Sequence, residues 1–212
     1  AEELRYLGRA LGAPERPLIA ILGGAKISGK IDVIENLLPR ADHVLIGGAM
    51  ANTFFRSLGL ETGQSLVEAE RVEMAHTLLE RAGDKIVLPV DCVVAGEAKA
   101  GARTWLLARD EVPPEGSILD IGPKSVATFR DFIERARTIL WNGPMGVFEN
   151  DAYARATLPV GVLNRVGRRG RELRGKGRLG LDDGHAPTIP DRTARRVANS
   201  ECGSRRPCLH VP

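Results

Sequence analysis

A chain of 212 residues, 43% hydrophobic and 27% charged, can bury a substantial core as one large domain or two small ones. Its formal net charge of +3 singles out no partner class, and its three cysteines (Cys92, Cys202, Cys208) are an odd number without framework spacing. No apolar run approaches the ~18 residues of a membrane span and nothing resembles a signal peptide, which argues against a membrane-spanning or disulfide-stapled protein and for a cytoplasmic one.

The start at Ala1 rather than Met fits a fragment or a processed product. Leu4, Leu7 and Leu11 recur at helical spacing, which predicts an amphipathic helix over 2–11 stopped by Gly12 and Pro14. Leu18 to Leu22 reads as a short buried strand, Gly23-Gly24 as a sharp turn, and Ile31, Ile34, Leu37 and Leu38 as a helix running to Pro39. The pattern repeats: a strand at Val44–Ile46, glycines at 47 and 48, and a helix from Met50 to Leu58. Residues 67–82 predict another helix. Lys85 to Val90 predicts a strand that Pro89 places near a sheet edge.

The stretch from Gly96 to Gly116 has no sustained period and reads as a loop or short hairpin, with a brief strand around Trp105. Ile118–Ile121 predicts a strand stopped by Gly122-Pro123, followed by a helix over 125–136. A strand at 138–141 is broken by Asn142-Gly143-Pro144. Short β-rich runs alternating with helices of 10–15 residues argue for an α/β fold with a doubly wound, mostly parallel sheet, a Rossmann-like arrangement. Ligands bind such sheets beyond the carboxyl ends of the strands, and the turns at Gly24, Gly48, Gly122 and Gly143 are all expected on that one edge.

The chemistry concentrates in Gly23-Gly24-Ala25-Lys26-Ile27-Ser28-Gly29-Lys30-Ile31. A glycine turn leading into a helix aims backbone N–H groups at an anion, and Lys26 and Lys30, four residues apart, add charge on nearly the same side. Gly24 to Lys30 fits G-x-x-x-x-G-K, but Ile31 stands where a P-loop requires a hydroxyl for Mg²⁺. The bland reading of the stretch alone is helix-on-strand packing with solvated lysines.

Together with IGGAMANTF at 46–54, LPVD at 88–91, LDIGPKS at 119–125 and NGPMGVFE at 142–149, the stretch GGAKISGKI at 23–31 resembles the C-terminal, nucleotide-binding domain of phosphoglycerate kinases. The resemblance covers residues 1 to about 158. It implies an interdomain-type helix at 1–12, a nucleotide-binding domain at 13–158 and a segment 159–212 foreign to the family.

The activity it implies is reversible phosphoryl transfer from 1,3-bisphosphoglycerate to Mg-ADP, giving 3-phosphoglycerate and ATP, in a monomer. By the same resemblance Lys26 neutralises the phosphoryl group in flight and Lys30 holds the nucleotide phosphates. Gly24, Ala25, Gly48 and Leu66 line the adenine slot, with Ile118 and Leu119 nearby. Asn142, Gly143, Pro144 and Val147 cradle ribose and phosphate, and Glu149 accepts hydrogen bonds from the ribose hydroxyls. The metal comes as Mg-ADP or Mg-ATP. Phosphoryl transfer of this kind needs positioning and charge neutralisation rather than a nucleophilic side chain.

Departures from the family pattern within the matching part are small: Gly29 for Asp, Ala49 for Gly and Ile118 for Gly. The ends depart further. The family's basic, phosphoglycerate-binding N-terminal domain is missing, and so are the metal-handling Gly-Gly-Gly-Asp turn and a later Gly-Gly-Gly-Ala-Ser turn. Binding of 3-phosphoglycerate is therefore expected only if that domain is present, and turnover by these 212 residues alone is not expected.

Residues 163–212 carry twelve Lys or Arg against five Asp or Glu, with nine Leu, Ile, Val and Phe in fifty, a composition expected to be disordered. An out-of-frame translation of GC-rich DNA accounts for its Arg, Gly and Pro. A basic nucleic-acid-binding arm is an alternative, weakened by the lack of aromatic residues for stacking, so nucleic acid is not the expected partner. A zinc site from Cys202, Cys208, His210 and His185 matches no common spacing. Asp91 and Asp120, at or in strands, could face the site, but strand-end carboxylates often cap turns, so both are left outside the catalytic set, and Cys92 is read as a small core residue.

Overall fold

Leu18–Leu22 (β1) is buried along its whole length, as its unbroken aliphatic run requires, and forms the centre of the molecule. In this computed structural model residues 14–99, 102–147, Tyr153 and the backbone of 208–210 are described; the expected helix over 2–11, and Glu149, lie outside them. Around β1 the chain builds Ile31–Leu37 (α1), His43–Ile46 (β2), Met50–Ser57 (α2), Val72–Ala82 (α3), Ile86–Val87 (β3), Asp91–Ala95 (β4), Thr104–Ala108 (β5), Ser117–Ile121 (β6), Pro123–Arg135 (α4) and Thr138–Asn142 (β7).

A parallel sheet runs in the order β3-β2-β1-β7, extended by Cys208–His210 (β8) beside β7. β3 is its edge strand, as Pro89 predicts, but it spans two residues rather than six: Lys85 still belongs to the 3-10 helix Gly83–Lys85, and the chain leaves the strand after Val87, around Pro89. The β8 strand lies in the segment expected to be disordered.

Alternation along β1 divides the core. Leu18, Ala20 and Leu22 pack with α1, α2 and α3, through Ile34, Phe54 and Leu78 among others. Ile19 and Ile21 face the opposite way, onto Phe129 and Ile133 of α4. Helices therefore cover both faces, the doubly wound arrangement expected from the sequence. Each of the four large aliphatic side chains of β1 contributes roughly 1.5–3 kcal/mol by leaving water.

The structure corrects two expectations. Ile118–Ile121 does not join the parallel sheet: β6 pairs antiparallel with β4, which pairs antiparallel with β5, as a separate three-stranded sheet. The strand Asp91–Ala95 at its centre is buried on both sides, so it shows none of the alternation by which a half-buried strand is recognised. The Gly122 turn is also elsewhere. It opens α4, and a Cβ at Gly122 would lie on the Asp91 carboxylate, so its glycine serves an internal contact rather than the shared strand edge.

Candidate functional site

Three turns meet where the parallel strands β1, β2 and β7 end. Gly23 N–H donates to the Asn142 carbonyl at 2.9 Å and Gly24 N–H to that of Pro144 at 3.0 Å; Gly48 N–H donates to that of Met145 at 2.8 Å, and Met50 N–H to that of Gly24 at 3.0 Å. Val147 N–H reaches the Leu119 carbonyl at 2.8 Å and ties the junction to the second sheet. The residue type is dictated at the crossing point. Gly48 has φ +68°, and a Cβ there would stand 2.5 Å from Gly24 N and 2.6 Å from its carbonyl oxygen. β1 lies between strands reached in opposite directions, so the junction is a topological switch point, where such sheets hold ligands.

Beside the junction lies a cavity of about 300 Å³, at the lower end of small-molecule sites. Gly24, Ala25, Gly48, Ile118, Leu119, Pro144 and Val147 of the predicted site residues line it, along with Ala49, Asn52, Phe55, Cys92, Asp120 and Met145. Ala49 has φ −66° at the start of α2, so its methyl costs no backbone strain where the family has glycine.

Asn142 and Gly143 stand just behind the lining, through Gly23 N–H on the Asn142 carbonyl and through Gly143, where a Cβ would lie on the Gly23 backbone. Leu66 is exposed and outside the lining; its carbonyl instead accepts a 3.2 Å hydrogen bond from Asn52 Nδ2. That bond fixes the amide's orientation and leaves Asn52 Oδ1 buried without a partner among the described residues. Such a group in a cavity wall is an acceptor for a polar ligand. Sequence reasoning missed Asn52, although it lies inside the IGGAMANTF motif.

The lysines are not on a helix. α1 begins at Ile31, and Lys26 and Lys30 stand on the loop that leads to it, anchored by the fully buried Ile27 between them. Lys26 is exposed. Lys30 is half-buried, close over Gly24, and burial pulls its ammonium below the ordinary lysine value, a penalty that a neighbouring anion relieves. Neither lines the apolar cavity; they stand at its Gly24–Ala25 side.

The loop is held from outside. Ser28 N–H and Oγ donate to the two oxygens of Glu68 at 2.9 and 2.5 Å. Burial would raise the Glu68 carboxyl, but the Ser28 hydroxyl, the backbone of Ser28 and Ile27 and the charge of Lys26 outweigh it and hold the carboxyl below the usual range. Asp120 is buried at the far wall, its Oδ1 accepting from Ile121 N–H at 2.9 Å. Among the described residues no group of three or more His, Cys, Asp or Glu is placed to hold a metal ion, and no helix is long and apolar enough to cross a membrane.

The sequence model of the family described as Phosphoglycerate kinase matches residues 1–167. The chain is 51% identical over 160 residues to the phosphoglycerate kinase of Latilactobacillus sakei subsp. sakei (strain 23K), covering 76% of this chain and 39% of that protein. It is 52% identical over 165 residues to that of Staphylococcus carnosus (strain TM300), covering 78% and 41%. The solved structure of phosphoglycerate kinase from Coxiella burnetii superposes with a TM-score of 0.75 at 40% identity, over 77% of this chain and 43% of that one. The chain thus spans about two fifths of the length of the relatives it matches.

Proposed function

The chain belongs to the phosphoglycerate kinase family, and from that premise we propose that it is the nucleotide half of a phosphotransferase that moves a phosphoryl group between 1,3-bisphosphoglycerate and Mg-ADP in cytoplasmic glycolysis. The observation that carries the reading is the junction of three glycine turns at the strand ends, beside a cavity with apolar walls and two lysines at one side. The base lies between Gly24–Ala25, Gly48–Ala49 and Ile118–Leu119, with the ribose against Pro144 and Val147 and the phosphates toward Lys30. Asn52 Oδ1 is the cavity's unmatched acceptor, suited to an N–H of the base or to a water that bridges to it.

Lys30 holds the nucleotide phosphates. Its partial burial makes an arriving anion a favourable partner, because the phosphate charge offsets the desolvation that lowers the ammonium's proton affinity. Lys26, exposed at the mouth, neutralises the group being transferred. The protein's own work is binding, alignment and the exclusion of water, and no side-chain nucleophile is needed. Mg²⁺ enters on the nucleotide as part of the substrate.

Isothermal titration of the 212-residue chain with Mg-ADP is the test. Saturable binding that Lys30→Ala weakens is the expected result. A cooperatively melting chain that takes up no ADP overturns the reading.

A further inference from the structure

Two consecutive residues of α2 and one segment of loop connect the base side of the site to its lysines. Asn52, in the cavity wall, donates through Nδ2 to the Leu66 carbonyl at 3.2 Å, and Thr53 Oγ1 accepts from Glu68 N–H at 3.2 Å. Both bonds fix the Leu66–Glu68 segment against a helix that is itself locked, through Met50 N–H, to the Gly24 carbonyl. From that support the Glu68 carboxylate reaches across to the loop carrying the lysines and takes Ser28 with both oxygens. Ser28 is midway between Lys26 and Lys30, exposed like Lys26 and Gly29, with Ile27 buried and Lys30 half-buried.

We propose that Glu68 is a positioning residue for the phosphate-binding loop: it touches no nucleotide atom itself, but through Ser28 it holds the backbone between Lys26 and Lys30 in the conformation that receives the phosphates. The inference rests on the nucleotide reading above and extends it to a residue outside every motif that carries the family resemblance. Two features support positioning over ligand binding. Both carboxylate oxygens are engaged by Ser28, leaving the side chain little capacity as a ligand. A carboxylate aimed at a nucleotide phosphate would also repel it, whereas one turned onto a loop N–H and hydroxyl gains two charge-assisted hydrogen bonds. Releasing the loop lowers the fraction of molecules competent for phosphate, and the apparent affinity falls by that fraction.

The experiment compares ADP with adenosine, which lacks the phosphates, by isothermal titration of the full chain. In Glu68→Ala the ADP affinity is expected to fall about tenfold while adenosine affinity holds, a competent fraction near one tenth, and in Ser28→Ala, which keeps the backbone N–H bond to Glu68, about threefold. Glu68→Gln, which keeps one acceptor for Ser28, is expected to lose only about threefold. A general structural role would reduce ADP and adenosine affinity alike, and an idle contact would reduce neither. Either result overturns the assignment while leaving the nucleotide site standing. If the unmodified chain binds ADP no better than adenosine, the phosphate loop and its positioning residue both fall. Ser28→Ala removes only an exposed hydroxyl, so the test survives if Glu68→Ala does not fold.

Discussion

Asp91 and Ser125, 34 positions apart in the chain, form a closed hydrogen-bonded pair: Asp91 Oδ1 accepts from Ser125 N–H at 2.7 Å and from its hydroxyl at 2.5 Å, and Oδ2 accepts from Lys124 N–H at 2.9 Å. The same Ser125 oxygen receives the Val90 N–H at 2.9 Å. α4 has Gly122 at its N-cap and Pro123 in its first turn and draws no side-chain cap from its own segment. Asp91, the first residue of the central antiparallel strand, satisfies its free N–H groups instead and joins the second sheet to the helix that covers the first. Asp91→Ala is expected to cost about 2–3 kcal/mol, a lost cap plus donors left buried, read as a lower denaturant midpoint. Asp91→Asn should recover part of it by keeping an acceptor.

The parallel half of the fold was legible because its signals are local. A buried aliphatic run, a glycine pair and a helix-period segment follow each other within about 20 residues at 18–37 and again at 43–57, and no distant contact is needed to read them. The antiparallel half was hidden because Asp91–Ala95 is buried on both faces and begins with a carboxylate whose partner lies at Ser125. The glycines at 24, 48 and 143 marked the junction correctly, whereas Gly122 carries the same residue signature for a different steric reason. Leu66, assigned to the slot by resemblance, stands outside the cavity lining, and its carbonyl accepts a hydrogen bond from Asn52 Nδ2. Asn52 and Glu68 escaped notice because their importance lies in partners 14 and 40 positions away.

Cys92 should be inert to alkylation in the folded protein. It is 1% exposed, and burial, reinforced by the carboxylates of Asp91 and Asp120 and opposed by Arg109, pushes its thiol up to about 12. The thiolate is the reactive form, so almost none is present near neutral pH. Iodoacetamide at pH 8 followed by peptide mapping should leave Cys92 unmodified until urea is added. Labelling at the rate of a free cysteine would contradict its packing.

Acid should weaken the hold of Glu68 on the lysine loop only at the low end of the carboxylate range. The Glu68 carboxyl is held below the usual carboxylate value, so the unfolded chain takes up its proton first as pH falls. The stability it contributes is therefore complete above the ordinary carboxylate pKa and is lost as pH drops through the lower folded value. Lys26 is the charged group beside it. The drop in melting temperature on acidification should be shallower in Glu68→Gln than in the unmodified chain. Identical profiles would show that the carboxylate's interactions are screened away.

Two glycines a short distance apart in the sequence should respond to alanine in opposite directions. Gly48 has φ +68°, and its Cβ would press on Gly24 N at 2.5 Å and the Pro144 carbonyl oxygen at 2.9 Å, all backbone atoms of the junction. Gly48→Ala therefore has to displace one of the three turns. It is expected to lose roughly 1–3 kcal/mol to backbone strain alone, and to lose ADP binding with it. Gly29 has no positive φ and nothing within 4 Å of its Cβ position. Gly29→Ala leaves the folded loop undisturbed and restricts only the unfolded chain, so a gain of about 0.4–1 kcal/mol is expected, with ADP affinity retained. Thermal melts of the two variants with and without Mg-ADP check both halves. A destabilised Gly29→Ala would mean that the loop needs glycine for a conformation other than the one described.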